Sequence, residues 1–343
     1  MGWLARILPD TTENGEALPA CLSEPMKIAI IGPGALGGLL GALLFEAGED
    51  VWLVDYRPDR VARWRRQGLR LCPPEGEARR IAVPIGLPQE VGPAELTIIA
   101  VKAPQTRGAA LNLPGLMAAG GLALTLQNGL GNVEILAGVV GPERLLAGVA
   151  LLGVTRAAEG EIILAGRGAI LIGAPGVSQV TPAETARVAE VLRRAGLDCR
   201  EVADLEAVLW EKLLINVGIN PLTALLRVPN GALPELPEAW ALAVAAANEA
   251  LAVARAAGVP LMVDPEERLR QVCLATAANR SSMLQDVLAG RPTEIEALNG
   301  QVAARGRALG VPTPVNDLLT DLLRALGEAG PFQVSSEQEG SKL

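Results

Sequence analysis

The apolar positions in the first half of the chain fall in short runs, each ended by glycine, proline or a polar turn. Residues 27–31 (Lys-Ile-Ala-Ile-Ile) and 51–54 (Val-Trp-Leu-Val) are almost unbroken apolar stretches, the mark of strands covered on both faces. The same pattern predicts parallel strands at 96–101 and 122–126, and further strands at 145–154, 161–164 and 169–172. Helical spacing fills two of the intervals. One helix runs to about Glu46 and stops near Gly48, and another covers roughly 182–195. After Asp204 the spacing is helical almost throughout, to near residue 330. Strands alternating with helices imply an α/β domain with a parallel sheet, and the later pattern implies an all-α domain. The boundary is expected at 203, with one domain over 26–203 and the other over 204–332. Residues 1–25 read as a disordered N-terminal extension, with Met26 a candidate start, and the polar residues 333–343 as a disordered tail.

The first strand leads straight into Gly32-Pro33-Gly34-Ala35-Leu36-Gly37. A helix follows, and the second strand ends in Asp55, 23 positions after Gly32. A lone GxGxxG carries little weight, but strand, glycine turn, helix, strand and acid in this order form a dinucleotide-binding fingerprint. Gly32 permits the tight turn, Gly34 lets backbone amides approach a pyrophosphate, and Gly37 lets the helix pack close to the strand. The helix N-terminus adds partial positive charge for the phosphates. The expected fold is therefore an α/β N-terminal Rossmann-type dinucleotide-binding domain plus an all-α C-terminal domain. Lys102 and Gln105 follow one strand and Asn128 another, where open parallel sheets bind ligands. Loop solvation and an ordinary Asn-Gly turn would also account for Lys102 and Asn128.

In residues 210–223 (Trp-Glu-Lys-Leu-Leu-Ile-Asn-Val-Gly-Ile-Asn-Pro-Leu-Thr), Lys212, Asn216 and Asn220 recur every fourth position. On a helix that spacing puts all three on one face. Leu213, Leu214, Ile215, Val217 and Ile219 lie between them, so the helix should be buried. Its polar stripe then needs partners, because an unpaired buried polar group costs roughly 2–7 kcal/mol. A bound polar substrate would supply them. Alternatively, Lys212 reaches solvent and the two Asn side chains bond to nearby backbone. Only four of the 30 basic residues are lysines: Lys27, Lys102, Lys212 and Lys342. A desolvated lysine can release a proton and act as an acid, which arginine cannot.

Composition narrows the chemistry. There is no histidine, which excludes His-based acid–base catalysis, a Ser-His-Asp triad and most catalytic zinc sites. Cys21, Cys72, Cys199 and Cys273 match no metal-ligand spacing, so no metal is expected and the thiols read as reduced and cytosolic. A net charge of −8 argues against nucleic acid as a partner. No membrane span is expected either, since the Ala-rich stretch 240–257 is interrupted by Asn248, Glu249 and Arg255. The terminal Ser341-Lys342-Leu343 matches a peroxisomal address, but three residues are too short a signal to displace a cytoplasmic expectation.

Residues 280–300 hold the other chemistry-bearing segment. Ser281 and Ser282 can cap a helix and bond an anionic ligand, and Thr293-Glu294 is expected to open another helix after Pro292. An acid in a first turn is more often a dipole partner than a catalytic group. With the glycine turn, Val101-Lys102-Ala103, Gln127-Asn128-Gly129, Lys212–Asn216, Ile219–Ala224, Asn230-Gly231, Ser281–Asp286 and Thr293-Glu294-Ile295, the chain resembles the ketopantoate reductase family. The segments stand in family order over about 26–330, and Asn-Pro-Leu-Thr-Ala and Ser-Ser-Met-Leu-Gln-Asp are far more distinctive than the glycines.

The resemblance implies NADPH-dependent reduction of a 2-keto acid, ketopantoate, to pantoate on the route to pantothenate and coenzyme A. It implies Lys212 as the general acid, Asn216 and Asn220 on the substrate's polar groups, and Ser282 on its carboxylate. It also implies Glu294 on the substrate hydroxyl, Asn128 between nicotinamide and substrate, and Lys102 and Gln105 along the cofactor cleft. One departure concerns the cofactor. The family often carries a basic residue where this second strand ends in Asp55, and an acid there suits the ribose hydroxyls of NADH. Arg57, Arg60 and Arg63 follow and could still receive a phosphate, so the expectation leans only slightly to NADPH, with NADH admitted. The alternatives are a reductase of another 2-keto acid, a β-hydroxyacid dehydrogenase, and a non-enzymatic dinucleotide-binding redox sensor. A homodimer is the assembly considered.

Overall fold

The computed structural model describes residues 24–166 and 168–329. The expected extension up to residue 23 and the expected tail, with Ser341-Lys342-Leu343, lie outside the described residues. The chain divides into two compact units between Lys212 and Leu213.

The first unit opens with β1 (Lys27–Ile31), α1 (Ala35–Glu46), β2 (Asp50–Val54), α2 (Pro58–Gln67), β3 (Leu69–Cys72), β4 (Arg79–Ile81) and β5 (Ile85–Gly86). It continues through β6 (Ala94–Ile99), α3 (Thr106–Ala110), α4 (Leu113–Leu116), β7 (Met117–Thr125), α5 (Asn132–Val140) and β8 (Leu145–Ala150). β9 (Gly153–Ala158), β10 (Glu161–Gly166), β11 (Ile170–Gly173), α6 (Pro182–Arg194) and β12 (Cys199–Glu201) complete it.

Eight strands make the main sheet, in the order β12-β11-β8-β7-β6-β1-β2-β5. β2, β1, β6, β7 and β8 are mutually parallel, whereas β11 runs antiparallel to β8. Alternation along β1 builds a layer on each face. Ile28 and Ile30 join a core with Leu39, Leu40 and Leu44 of α1 and Val188 and Leu192 of α6. Ala29 and Ile31 join the opposite core, with Leu113 and Leu116 of α4 and Leu136 of α5. Each buried Leu or Ile there contributes about 1.5–3 kcal/mol relative to leaving it in water.

The expected single strand over 145–154 is in fact two, β8 and β9, because the chain leaves the main sheet at Leu151 and Leu152. β9 then enters a second sheet of order β4-β3-β10-β9, which the apolar pattern did not reveal. Its strand β3 has four residues and a single exposed arginine, and β4 has three residues, two of them exposed arginines, so little apolar signal marks them. This small sheet packs on α1, where a Cβ at Gly38 would come within 3.1 Å of Ile162.

α7 (Leu205–Leu226) carries the division between the units. The second unit continues as α8 (Pro237–Ala256), α9 (Pro265–Ala275), α10 (Ser282–Leu288), α11 (Asn299–Leu309) and α12 (Pro314–Ala329), with no strand among its described residues. α8 is long and apolar enough to cross a membrane by length and composition, but half of that window is buried. It packs against α9, α11 and α12. At its centre Glu249 accepts the Val315 and Asn316 amides, each at 2.9 Å, and so caps α12.

Candidate active site

The glycine turn follows from backbone requirements. Gly32 has φ +96°, and a Cβ there would lie 2.6 Å from the Val101 side chain. A Cβ on Gly37 would lie 2.2 Å from the Gly32 carbonyl oxygen, so only glycine lets α1 start this close to β1. Gly34 is the opposite case, since a Cβ would meet nothing within 4 Å. That open space lies at the N-terminus of α1, which has no side-chain cap and no acid in its first turn. The free amides and helix dipole there suit a pyrophosphate, so the residues present fit a dinucleotide.

The order of the parallel strands lines up the remaining candidates of the first unit. Going across the carboxyl ends of β2, β1, β6, β7 and β8, one meets Asp55, the Gly32 turn, Lys102, Asn128 and finally Ala150. The Ala150 carbonyl accepts a hydrogen bond from Lys212 Nζ at 2.9 Å. Neighbouring strands lie about 4.8 Å apart, so Asp55 and Asn128 stand roughly 14 Å apart along the edge, the scale of an extended dinucleotide. β1 is the point at which the chain turns from one side of the sheet to the other, the position where such sheets bind ligands.

A buried polar network supports the Asn128 turn. Gln127 Nε2 donates to the Val101 carbonyl at 2.9 Å and to Thr106 Oγ1 at 2.8 Å. Thr106 Oγ1 in turn lies 2.8 Å from Asn132 Oδ1, and Asn132 Nδ2 donates to the Asn128 carbonyl at 3.0 Å. The loops after β6 and β7 are thereby tied together. Sequence reasoning missed Thr106 and Asn132, each the first residue of its helix. Lys102 is half-buried, and Gln105 is exposed with its Nε2 3.4 Å from the Tyr56 hydroxyl.

Asp55 is 3 % exposed at the end of β2. Its Oδ1 accepts the Arg57 backbone amide at 2.9 Å and its Oδ2 accepts Arg60 Nη1 at 2.7 Å. Arg63 is exposed.

α7 holds Lys212, Asn216 and Asn220 on successive turns, with Leu213, Leu214, Val217 and Ile219 buried. Lys212 and Asn216 are half-buried and Asn220 is buried. Pro221 sits inside this helix and has no N–H to give the Val217 carbonyl four residues back. Asn299 Nδ2 takes that role at 3.1 Å from across the second unit. The same nitrogen also donates to Asn316 Oδ1 at 3.0 Å, and Asn316 Nδ2 donates to Glu249 Oε2 at 2.7 Å. Asn299 is wholly buried and was not singled out from sequence.

Ser281 caps α10, accepting the Leu284 amide at 3.1 Å, and its hydroxyl also accepts from Thr223 Oγ1 of α7 at 2.8 Å. Ser282 is the exposed first residue of α10. Glu294 is buried and opens only a short 3₁₀ turn, Ile295–Ala297, rather than an α-helix. Its side chain makes no capping hydrogen bond, so the common explanation for a first-turn acid does not hold here. Asp286 Oδ1 accepts Arg291 Nε at 3.1 Å and closes the turn after α10. Burial pushes the Cys199 thiol up to about 12 and the Cys273 thiol up to about 11, which removes both as nucleophiles at neutral pH.

Residues 28–176 match the ketopantoate reductase PanE/ApbA family, and residues 204–327 match the ketopantoate reductase PanE/ApbA C-terminal family. The chain is 38 % identical to the 2-dehydropantoate 2-reductase of Halobacterium salinarum over 300 residues, covering 87 % of this chain and 98 % of that protein. Among solved structures, a PanE/ApbA family ketopantoate reductase from Ralstonia eutropha superposes with a TM-score of 0.81 at 32 % identity, covering 89 % of this chain and 99 % of that one. A D-mandelate dehydrogenase with NADH and anilino(oxo)acetate also superposes with a TM-score of 0.81, at 26 % identity and the same coverage. Two family models that together cover most of the chain, and a relative 38 % identical along nearly its whole length, show that the chain belongs to the ketopantoate reductase family.

Proposed function

We propose that this protein reduces ketopantoate to pantoate with a nicotinamide dinucleotide, as a cytoplasmic enzyme of pantothenate and coenzyme A biosynthesis. The observation that carries the reading is the order along the sheet edge, from Asp55 through the glycine turn and Asn128 to the amine of Lys212. The bound cofactor supplies a hydride to the keto carbon. NADPH is the proposed donor, and Asp55 lets NADH serve because its carboxylate can accept from an unphosphorylated ribose.

Lys212 is the proposed general acid. Its ammonium donates to the Ala150 carbonyl, which fixes the amine at the sheet edge. In the proposed step the ammonium donates to the keto oxygen, and its proton crosses as charge builds on that oxygen. The alcohol product leaves a neutral amine, which regains a proton from water. Asn216 and Asn220 orient the keto acid from the same helix face, Ser282 binds its carboxylate, and Glu294 receives its hydroxyl. Asn128 separates the nicotinamide from the substrate, and Lys102 and Gln105 line the cofactor's course. A homodimer belongs to the same reading.

Turnover of NADPH and NADH with ketopantoate, followed by loss of nicotinamide absorbance, tests the activity. Lys212→Ala should lower kcat by roughly 10²–10⁴-fold with nucleotide binding retained. Lys212→Arg should be equally slow, because arginine keeps the charge but does not release its proton. Full activity in either variant would remove Lys212 from catalysis. The likeness to D-mandelate dehydrogenase favours one second reading, a reductase of a different 2-keto acid. Turnover of other 2-keto acids but not ketopantoate would select it.

A further inference from the structure

Four charges meet at the end of β2. Besides Asp55, Arg57 and Arg60, the turn between β9 and β10 contributes Glu159. Glu159 Oε1 lies 2.6 Å from Arg60 Nε and 3.8 Å from Arg57 Nη2. These contacts are close but not directed. Arg57 Nε, Arg60 Nε and Glu159 Oε1 are all buried without a well-formed hydrogen bond. Charge alone holds Glu159 to the two arginines, and part of their donor capacity is unspent.

The two carboxylates differ in freedom. Asp55 is buried and tied into its own turn through the Arg57 amide. The Glu159 side chain is 27 % exposed and carried on a hairpin turn. A group competing for the arginines would therefore displace Glu159 and leave Asp55 in place.

We propose that Glu159 sets the choice between NADPH and NADH by occupying Arg57 and Arg60 in competition with the adenosine 2′-phosphate. The inference rests on the dinucleotide reading of the first unit. Two acids and two bases cancel, so an arriving phosphate finds no net positive charge. It must also separate the arginines from a carboxylate already in contact. An unphosphorylated ribose brings no charge and bonds to Asp55, so Glu159 is nearly neutral toward NADH. Glu159 thus keeps the preference for NADPH below what two uncommitted arginines would give. It acts through the arginines and is a positioning residue.

Fluorescence titration of the full chain with NADPH and with NADH tests this. Glu159→Gln keeps the side-chain shape and removes the charge. It should tighten NADPH about 5–30-fold, the scale of one unit charge acting at this range in a partly exposed site, and leave NADH unchanged. Glu159→Asp keeps the charge and should keep the wild-type ratio of the two affinities. The change should appear in Kd and KM for the nucleotide, with kcat unmoved. In an Arg57→Gln/Arg60→Gln background the effect of Glu159→Gln should vanish. An unchanged NADPH-to-NADH ratio in Glu159→Gln, with both nucleotides still bound, would overturn the proposal. So would an effect that persists without the arginines. Wild-type protein that binds neither nucleotide would instead overturn the dinucleotide reading, and the proposal with it.

Discussion

The glycine turn after β1 and Pro221 within the continuous helix α7 both depart from regular backbone hydrogen bonding, but they are held in opposite ways. The turn is local: Gly32 and Gly37 meet each other and Val101 at distances only a missing Cβ allows. The support at the proline is remote: Pro221 leaves the Val217 carbonyl without its helical donor, and Asn299, 82 positions away, replaces it. A cradle for backbone-to-phosphate contacts can be built from residues with almost no side chain. A helix face that must aim amine and amide groups needs its backbone fixed by a side-chain network elsewhere in the fold.

Three measurements can break or sharpen that contrast. The largest effect is expected at the remote support. Asn299→Ala removes the donor to Val217 and strands Asn316, at a cost of about 2–3 kcal/mol for buried groups left unpaired. The midpoint of urea unfolding should fall accordingly, and KM for the keto acid should rise while nucleotide Kd stays put. Wild-type stability would mean that the carbonyl freed by Pro221 needs no external donor.

A somewhat smaller stability loss is expected in the cradle. Gly37→Ala drives a methyl into the Gly32 carbonyl and should cost about 1–3 kcal/mol, with both nucleotides bound poorly. Gly34→Ala meets open space, so it should fold normally and still weaken nucleotide binding by filling the approach. Equal stability losses in the two variants would undo this distinction.

The smallest effect concerns the thiols. Cys199 lies in the first unit and Cys273 in the second, and burial raises both from an ordinary value of 9.0. A thiol whose folded value is raised holds its proton longer when folded. Its contribution is therefore complete below about pH 9 and is lost as pH rises toward 11 for Cys273 and 12 for Cys199. Among the cysteines of the described residues, thiol labelling at pH 8 in increasing urea should modify half-buried Cys72 first, and Cys199 and Cys273 only on unfolding. Rapid labelling of Cys199 or Cys273 in the native protein would contradict their burial.

Much of the first unit was legible because its signals are short-range. Apolar runs read as buried strands, and the glycine spacing and the acid after β2 all lie within 30 residues. The break at Leu151–Leu152 and the small sheet were not legible. An apolar run looks the same whether or not it changes sheets, and β3 and β4 show arginines on their open face. At the serine pair, sequence indicated a cap but not that Ser281 would take it, leaving Ser282 exposed. For Glu294, first-turn position suggested capping, and only the fold showed the side chain buried without that bond.

By itself, the sequence determined the succession of an α/β unit and a helical one, the glycine turn between β1 and α1, and the spacing of Lys212, Asn216 and Asn220 on one helix. Each rests on periodicity or on backbone freedom, which neighbours along the chain decide. Tertiary structure decided what those groups touch: Ala150 for Lys212, Asn299 for the carbonyl freed by Pro221, and Glu159 for the arginines beside Asp55. The partners lie 62, 82 and, for Arg60 and Arg57, 99 and 102 positions away, and a hydrogen bond or ion pair acts through distance in space, which separation along the chain does not encode.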